Sequence, residues 1–186
     1  MARYSAVLDS CVLVPVATCD IHLRLAERLL FRPVWSARIL ADAREAVLRV
    51  HPTLARDRVD RRFRQMNEAF PDAEVHGHEV LIDGLELPDP DDRHVLAAAI
   101  ASGADAIVTA NLRDFPSDLW ERFGVEIISP DDFLLNQLDM ASRLVITAVE
   151  EQASATRHPP RSVDDLLGAF TRAGVPRFAD EVALRL

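Results

Sequence analysis

The sequence predicts an α/β fold in which helices flank a parallel sheet, followed by a small helical C-terminal extension. Short apolar runs typical of buried parallel strands alternate with segments in which apolar residues recur at helical spacing. This alternation favours βαβ units with right-handed crossovers. From residue 131 onward the strand signal disappears and only helical spacing remains, which indicates the extension.

Four segments carry the strand signal. Residues 6–8 form an apolar run that ends abruptly at Asp9, as expected for a buried parallel strand. Residues 106–108 and 125–128 show the same pattern, and residues 73–82 contain strand-like material.

Helical spacing covers four segments before the tail, at residues 21–30, 37–50, 55–70 and 89–103. Pro33 is expected to close the first segment, and Ser36 to cap the second. Gly103 is expected to end the fourth.

The tail is predicted to contain at least two helices. Residues 131–155 have helical spacing and are followed by a break at His158-Pro159-Pro160. Ser162 precedes Asp165 in an arrangement typical of a capping box, which predicts a further helix.

The composition indicates a folded protein with reduced thiols. Of 186 residues, 49% are hydrophobic, which is enough for one domain core and a small appendage. Cys11 and Cys19 have no disulfide or zinc-ligand pattern and are expected to be buried thiols. No stretch approaches the roughly 20 apolar residues needed to span a bilayer. We therefore expect a cytoplasmic protein that does not associate with membranes.

The charge distribution leaves a phosphate-binding surface open despite a net charge of -9, because binding responds to local patches of charge. Every basic residue is an arginine, the side chain suited to bidentate phosphate contacts. The densest run comprises Arg56, Arg58, Arg61, Arg62 and Arg64. It is either a solvated helix face or a weak substrate-binding patch.

Acidic and amide side chains follow the predicted strands. Asp9 comes directly after the first strand, and Asn111 and Asp114 follow the strand at residues 106–108. Asp92 begins the helix that leads into that strand. Ligands of open parallel sheets bind at the carboxyl ends of the strands, so these groups are expected to converge there.

Converging carboxylates repel one another unless a cation neutralises them. Hard oxygen ligands favour Mg²⁺ or Mn²⁺ over zinc. Such an ion orients water and offsets the charge that develops on a phosphate under attack. Phosphodiester hydrolysis is the reaction class that this pattern predicts.

Several segments together resemble the PIN domain family of ribonucleases. Residues 7–13 (VLDSCVL) are similar to the family's opening strand and first acid, and residues 92–103 to the helix that carries its third acid. Residues 107–115 (IVTANLRDF) resemble its T-x-N-x-x-D-F segment, which is the most specific match. Residues 128–133 resemble its closing element. The resemblance covers about residues 4–138, which predicts a PIN-like nuclease domain at 1–138 and a helical extension at 139–186.

The resemblance implies an activity and partners. PIN domains are Mg²⁺- or Mn²⁺-dependent endoribonucleases, and many bacterial members are VapC-type toxins held inactive by an antitoxin. It implies RNA as substrate, a cognate antitoxin as partner, and metal ligation by Asp9, Asp92 and Asp114. Thr109 and Asn111 would support these acids, Thr109 by positioning Asp9. A homodimer is left open.

The family's helix acid is usually a glutamate, for which Asp42 and Glu45 are the candidates. On a helical wheel, Asp42 lies on the flank of the apolar face of residues 37–50, whereas Glu45 points away from the core. We assign the role to Asp42, with Glu45 as second choice.

Other acids and histidines have structural interpretations. Asp89 and Asp91 are suited to cap or begin a helix, where the helix dipole favours negative charge. His94 is interpreted as a surface or core residue without a catalytic role.

Three other functions are compatible with parts of the pattern. A housekeeping RNA-processing nuclease would use the same residues, and a non-catalytic RNA- or protein-binding module would bind no metal. A phosphotransferase of the haloacid dehalogenase type is discounted, because it needs a D-x-D pair and position 11 is cysteine.

Overall fold

The apolar runs form a five-stranded sheet. The computed structural model describes residues 4–116, 118–155 and 162–186, so the expected break at His158-Pro159-Pro160 lies outside the described residues. The strands are β1 (Ser5–Leu8), β2 (Arg32–Ser36), β3 (Glu74–Val75), β4 (Ala106–Val108) and β5 (Glu126–Ile128). Their order is β3-β2-β1-β4-β5 and every pairing is parallel.

The sheet places the site between two central strands. Val7 of β1 lies opposite Val34 of β2 and Ile107 of β4, and all residues of β1 and β4 are buried. The strand order reverses between β1 and β4. A crevice therefore opens at the carboxyl ends of these two strands.

Eleven α-helices occur in the described part of the chain. They are α1 (Ser10–Leu13), α2 (Val16–Glu27), α3 (Ala37–Val50), α4 (Arg56–Ala69), α5 (Glu79–Ile82), α6 (Arg93–Ser102), α7 (Leu119–Phe123), α8 (Pro130–Met140), α9 (Ser142–Ala155), α10 (Val163–Arg172) and α11 (Pro176–Arg185). Two 3-10 turns, Pro90–Asp92 and Leu112–Asp114, border the site. The predicted caps are confirmed: the Ser36 hydroxyl accepts a hydrogen bond from the Ile39 amide, and Gly103 ends α6 at a φ of 61°.

Strand β2 was not predicted, because Pro33 suggested only the end of a helix. Pro33 instead lies inside β2, opposite Ala6. The amide of Trp35, two residues on, donates to Ala73 on the β3 side of the strand, so the nitrogen of Pro33 faces the same side. The two-residue β3 pairs only with Trp35 and Ser36. The proline therefore removes no ladder hydrogen bond.

The strand expected within residues 73–82 is only partly present. Glu74 and Val75 pair with β2, and the chain then turns at Gly77, whose φ is 75°, before entering α5. The apolar residues of α5 are at most partly buried against the core, so their spacing alone did not distinguish a short helix from a strand.

The C-terminal helices form a unit that packs against α2 and α8. The predicted capping box is confirmed: Ser162 and Asp165 bond to each other's backbone amides at the start of α10. Phe170 and Phe178 meet edge to face at 5.4 Å. The Gln152 side-chain amide donates to the Ala17 carbonyl at 3.0 Å, which joins α9 to α2.

Candidate active site at the carboxyl edge of the sheet

Asp9 is fixed in place directly after β1. Its backbone amide donates to the Val108 carbonyl at 3.1 Å and so extends the pairing with β4. Its carboxylate accepts hydrogen bonds from the Ser10 amide at 2.6 Å, the Thr109 hydroxyl at 2.7 Å and the Cys11 thiol at 3.3 Å. The residue is only 6% exposed. These bonds offset the cost of burying the charge.

The loop after β4 connects Asp9 to the other acids. The buried Thr109 hydroxyl donates to Asp9 and accepts a hydrogen bond from the Asn111 amide at 3.0 Å. The side-chain amide of Asn111 donates to Asp92 Oδ2 at 3.2 Å. Thr109 and Asn111 therefore join the ends of β1 and β4 to the start of α6.

Three aspartates converge beside this loop. Carboxylate oxygens of Asp89, Asp92 and Asp114 all lie within 4.8 Å of one another, and we call these three residues the acidic cluster. The first 3-10 turn places Asp89 and Asp92 on one face, because residues three apart in such a turn lie on the same face, and the second turn contributes Asp114. Asp89 also caps the first turn, accepting a hydrogen bond from the Asp91 amide at 2.9 Å.

The membership of the acidic cluster differs from the predicted ligand set. Asp92 and Asp114 belong to it, and its third member is Asp89 and not the predicted Asp9. Asp9 is nevertheless near enough to act electrostatically on Asp92. The sequence predicts a structural role for Asp89. The signal for its place in the acidic cluster is its position three residues before Asp92.

The acidic cluster is electrostatically unfavourable as it stands. Burial, followed by the charges of Asp9, Asp89, Asp114 and Asp91, raises the pKa of Asp92 to about 6. Both causes disfavour the charged form of the carboxylate, and a bound cation would offset them by neutralising the negative charge.

The donor set fits a hard divalent ion. Mg²⁺ binds oxygen at about 2.1 Å, which separates its ligand atoms by roughly 3–4 Å. The spacing of 4.8 Å or less in the acidic cluster is close to that range. All three donors are carboxylates, which Mg²⁺ and Mn²⁺ prefer and zinc does not require.

Asp42 and Glu45 face different neighbours. Asp42 Oδ2 lies 3.2 Å from Nε2 of His94 on α6 and 3.8 Å from Arg38 Nε. Glu45 lies 3.0 Å from Arg56 on α4. Asp42 therefore faces the helix that follows the acidic cluster, and Glu45 faces the opposite neighbour of α3.

The contact of His94 with Asp42 was not predicted from the sequence. It is 5% exposed, and burial lowers its pKa even though Asp42 acts in the opposite direction. Its position two residues after Asp92 was the only available signal, and that spacing alone does not reveal a contact with α3.

Some arginines of the run make contacts within the fold, and others are exposed. Arg62 donates to the carbonyls of Leu13 and Val14 and lies over the Phe63 ring, and Arg56 pairs with Glu45. In the described part of the chain, Arg58, Arg61 and Arg64 are exposed and form no salt bridge.

Comparison with known families identifies the fold and the tail. Residues 5–113 match the PIN domain family, which is more than half of the chain. The chain belongs to the PIN domain family. Residues 130–184 match the VapC50 C-terminal domain. The PIN fold and the helical tail are thus those that the sequence predicted.

A curated ribonuclease is similar to about half of this chain. The chain is 41% identical over 88 residues to "Putative ribonuclease VapC50" of Mycobacterium tuberculosis. The match covers 47% of this chain and 52% of the relative, so it spans about half of each. No solved structure matches this PIN protein. Among its described residues, no helix has both the length and the apolar character required to cross a membrane.

Proposed function

We propose that this chain is a Mg²⁺- or Mn²⁺-dependent endoribonuclease that hydrolyses RNA phosphodiester bonds and acts as the toxin of a type II toxin–antitoxin pair. The observation that carries the proposal is the acidic cluster, which lies at the carboxyl edge of a PIN-family sheet and whose donors suit a hard divalent ion. When bound, such an ion supplies Lewis-acid activation of water and offsets charge on the phosphate.

Different side chains would bind the ion and position the acids. Asp89, Asp92 and Asp114 would hold the ion. Asn111 orients Asp92 through its 3.2 Å hydrogen bond, and Thr109 holds Asp9 through its 2.7 Å hydrogen bond.

Two more acids complete the proposed site. Asp9 directs negative potential towards Asp92, which strengthens attraction for a cation. Asp42 is 46% exposed and is therefore available to accept a proton from an attacking water.

The proposed partners are an RNA and a cognate antitoxin. The exposed Arg58, Arg61 and Arg64 would contact RNA phosphates, or receive an acidic segment of the antitoxin. The VapC-type relative supports the toxin role.

Cleavage of a mixed RNA pool tests the nuclease. The wild type should cut the pool in Mg²⁺ or Mn²⁺ and not in EDTA. Asp92→Asn should remove the activity, whereas Asp91→Asn should keep most of it, because exposed Asp91 lies outside the acidic cluster. Absence of cleavage by the wild type in both metals would falsify the proposal.

Growth after induced expression tests the toxin role separately. The wild type should arrest growth and Asp92→Asn should not. If the wild type cleaves RNA but growth stays normal, the results would favour a housekeeping processing nuclease.

A further inference from the structure

His94 occupies a buried place between two helices that flank the site. It lies in the first turn of α6, two residues after Asp92, and is 5% exposed. Its Nε2 lies 3.2 Å from Asp42 Oδ2 on α3. The imidazole thus joins the helix carrying Asp42 to the helix that begins at the acidic cluster.

The other ring nitrogen of His94 gives no reason for a polar residue at this position. Nδ1 of His94 is buried and has no hydrogen-bond partner among the described residues. A buried polar atom without a partner destabilises a fold. An apolar side chain of similar size would fill this space without that cost. The contact with Asp42 is therefore the feature that distinguishes histidine from such a side chain.

Asp42 otherwise has little to hold it in place. Its carboxylate is 46% exposed, and its other neighbour is Arg38, which is 57% exposed and 3.8 Å away. Exposed pairs of this kind, four residues apart on a helix, contribute little to stability. The buried imidazole is the more rigid of the two partners.

We infer that His94 is a positioning residue that holds the Asp42 carboxylate at the edge of the active site through Nε2. The inference rests on the proposed function. A carboxylate on an exposed helix surface samples several rotamers, and a fixed partner reduces that sampling. Supporting side chains of this kind typically change activity by roughly ten- to hundredfold when removed.

Replacing His94 by Asn and by Gln separates the role of Nε2 from that of side-chain size. The amide nitrogen of Gln can reach the position of ring Nε2, whereas that of Asn reaches only the position of Nδ1. His94→Asn should lower kcat for RNA cleavage roughly tenfold or more. His94→Gln should recover most of that loss. KM for RNA should stay within about twofold in both, because the arginines that would contact RNA lie on α4.

A second background tests whether His94 acts through Asp42. The Asp42→Asn protein and the double variant that also carries His94→Asn are compared under single-turnover conditions. The double variant should cleave RNA no more slowly than Asp42→Asn alone, since the effects of coupled residues are not additive. His76→Gln is the matched control, because His76 is 80% exposed and should leave kcat and Tm unchanged.

Each result decides the inference. Loss in His94→Asn with recovery in His94→Gln supports it, whatever the change in Tm, because a smaller buried side chain can lower Tm by itself. Equal losses in the two variants would make His94 a packing residue, and full activity in His94→Asn would also overturn the positioning role. If the wild type itself cleaves no RNA in either metal, the proposed function fails and the role of His94 fails with it.

Discussion

Asp92 carries a negative charge at neutral pH although its surroundings disfavour that charge. Its pKa is raised to about 6 from an ordinary value near 3.9. The folded state therefore binds a proton more tightly than the unfolded state does. Ionised Asp92 destabilises the metal-free fold above about pH 6, and the effect fades as the pH falls through 6 towards 4.

Replacing Asp92 should therefore stabilise the metal-free protein. In EDTA at pH 7.5, Asp92→Asn should raise the free energy of unfolding by about 1 kcal/mol, a figure reduced for the half-exposed position of the carboxylate. Urea unfolding at pH 7.5 and pH 4.5 measures it. The difference from wild type should shrink at the lower pH, and a wild type that is the more stable at pH 7.5 would contradict the electrostatic account.

The two candidate acids of α3 should behave differently when neutralised. Asp42→Asn should reduce RNA cleavage at least a hundredfold, a general acid–base contribution of the usual size. Glu45→Gln should keep most of the activity, because Glu45 contacts Arg56 on α4. Initial rates of cleavage in Mn²⁺ compare the two variants. The reverse ranking would transfer the catalytic role to Glu45.

At the scale of elements, α4 presents its free arginines to solvent. Replacing Arg58, Arg61 and Arg64 together by alanine should weaken RNA binding across sequences. The slope of log affinity against log salt should fall by about 2, since each phosphate contact in single strands contributes roughly 0.7. Fluorescence anisotropy over a salt series measures this slope.

Metal affinity provides the internal control for the arginine variant, because the acidic cluster is untouched. If RNA binding and cleavage stay unchanged while inhibition by the antitoxin is lost, α4 is a partner surface. If none of these properties changes, the three arginines form a solvated helix face and the proposed RNA contact fails.

Helix α11 takes its N-terminal cap from another helix. Its own N-cap residue, Val175, makes no side-chain cap bond. Asp131 of α8 accepts hydrogen bonds from the Phe178 amide at 2.8 Å and from the Arg177 amide at 3.3 Å. The carboxylate is buried, so its removal leaves unpaired amides that water cannot readily reach.

Loss of this cap should be costly. Asp131→Ala should lower the free energy of unfolding by about 2–3 kcal/mol, as expected for lost caps and buried unpaired donors. Asp139→Ala is the matched control on α8, because Asp139 is 68% exposed and, among the described residues, pairs with Arg185 alone; its effect should stay under about 1 kcal/mol. Thermal melts compare the two, and equal shifts would contradict a capping role for Asp131.

For the whole molecule, a bound cation should appear as stability. A ligand at 100 times its Kd stabilises the folded state by about 2.7 kcal/mol, which raises Tm by roughly 5–10 °C for a chain of this size. Millimolar Mg²⁺ or Mn²⁺ should produce such a shift in the wild type. Asp92→Asn should show little of it, and an equal shift in both proteins would place the ion elsewhere.

Local pattern was enough to predict much of the architecture. Several confirmed features depend on residues close in sequence: the apolar runs of β1, β4 and β5, the Ser36 cap, the Gly103 end of α6 and the capping box at Ser162. Short-range sterics and hydrogen bonding determine these features. The position of Asp9 and Asp114 after parallel strands likewise followed from chain order, because parallel strands end at one edge of the sheet.

Only the tertiary structure decided features that depend on distant neighbours. Pro33 is accommodated in β2 because β3 is too short to pair with it, which no local signal reveals. Asp89 joins Asp92 and Asp114 because two separate 3-10 turns meet, and His94 contacts Asp42 because α6 packs near α3. The sequence determined which residues reach the carboxyl edge of the sheet. Packing determined which of them face one another, because side-chain contacts between elements depend on how the helices pack around the sheet and not on spacing along the chain.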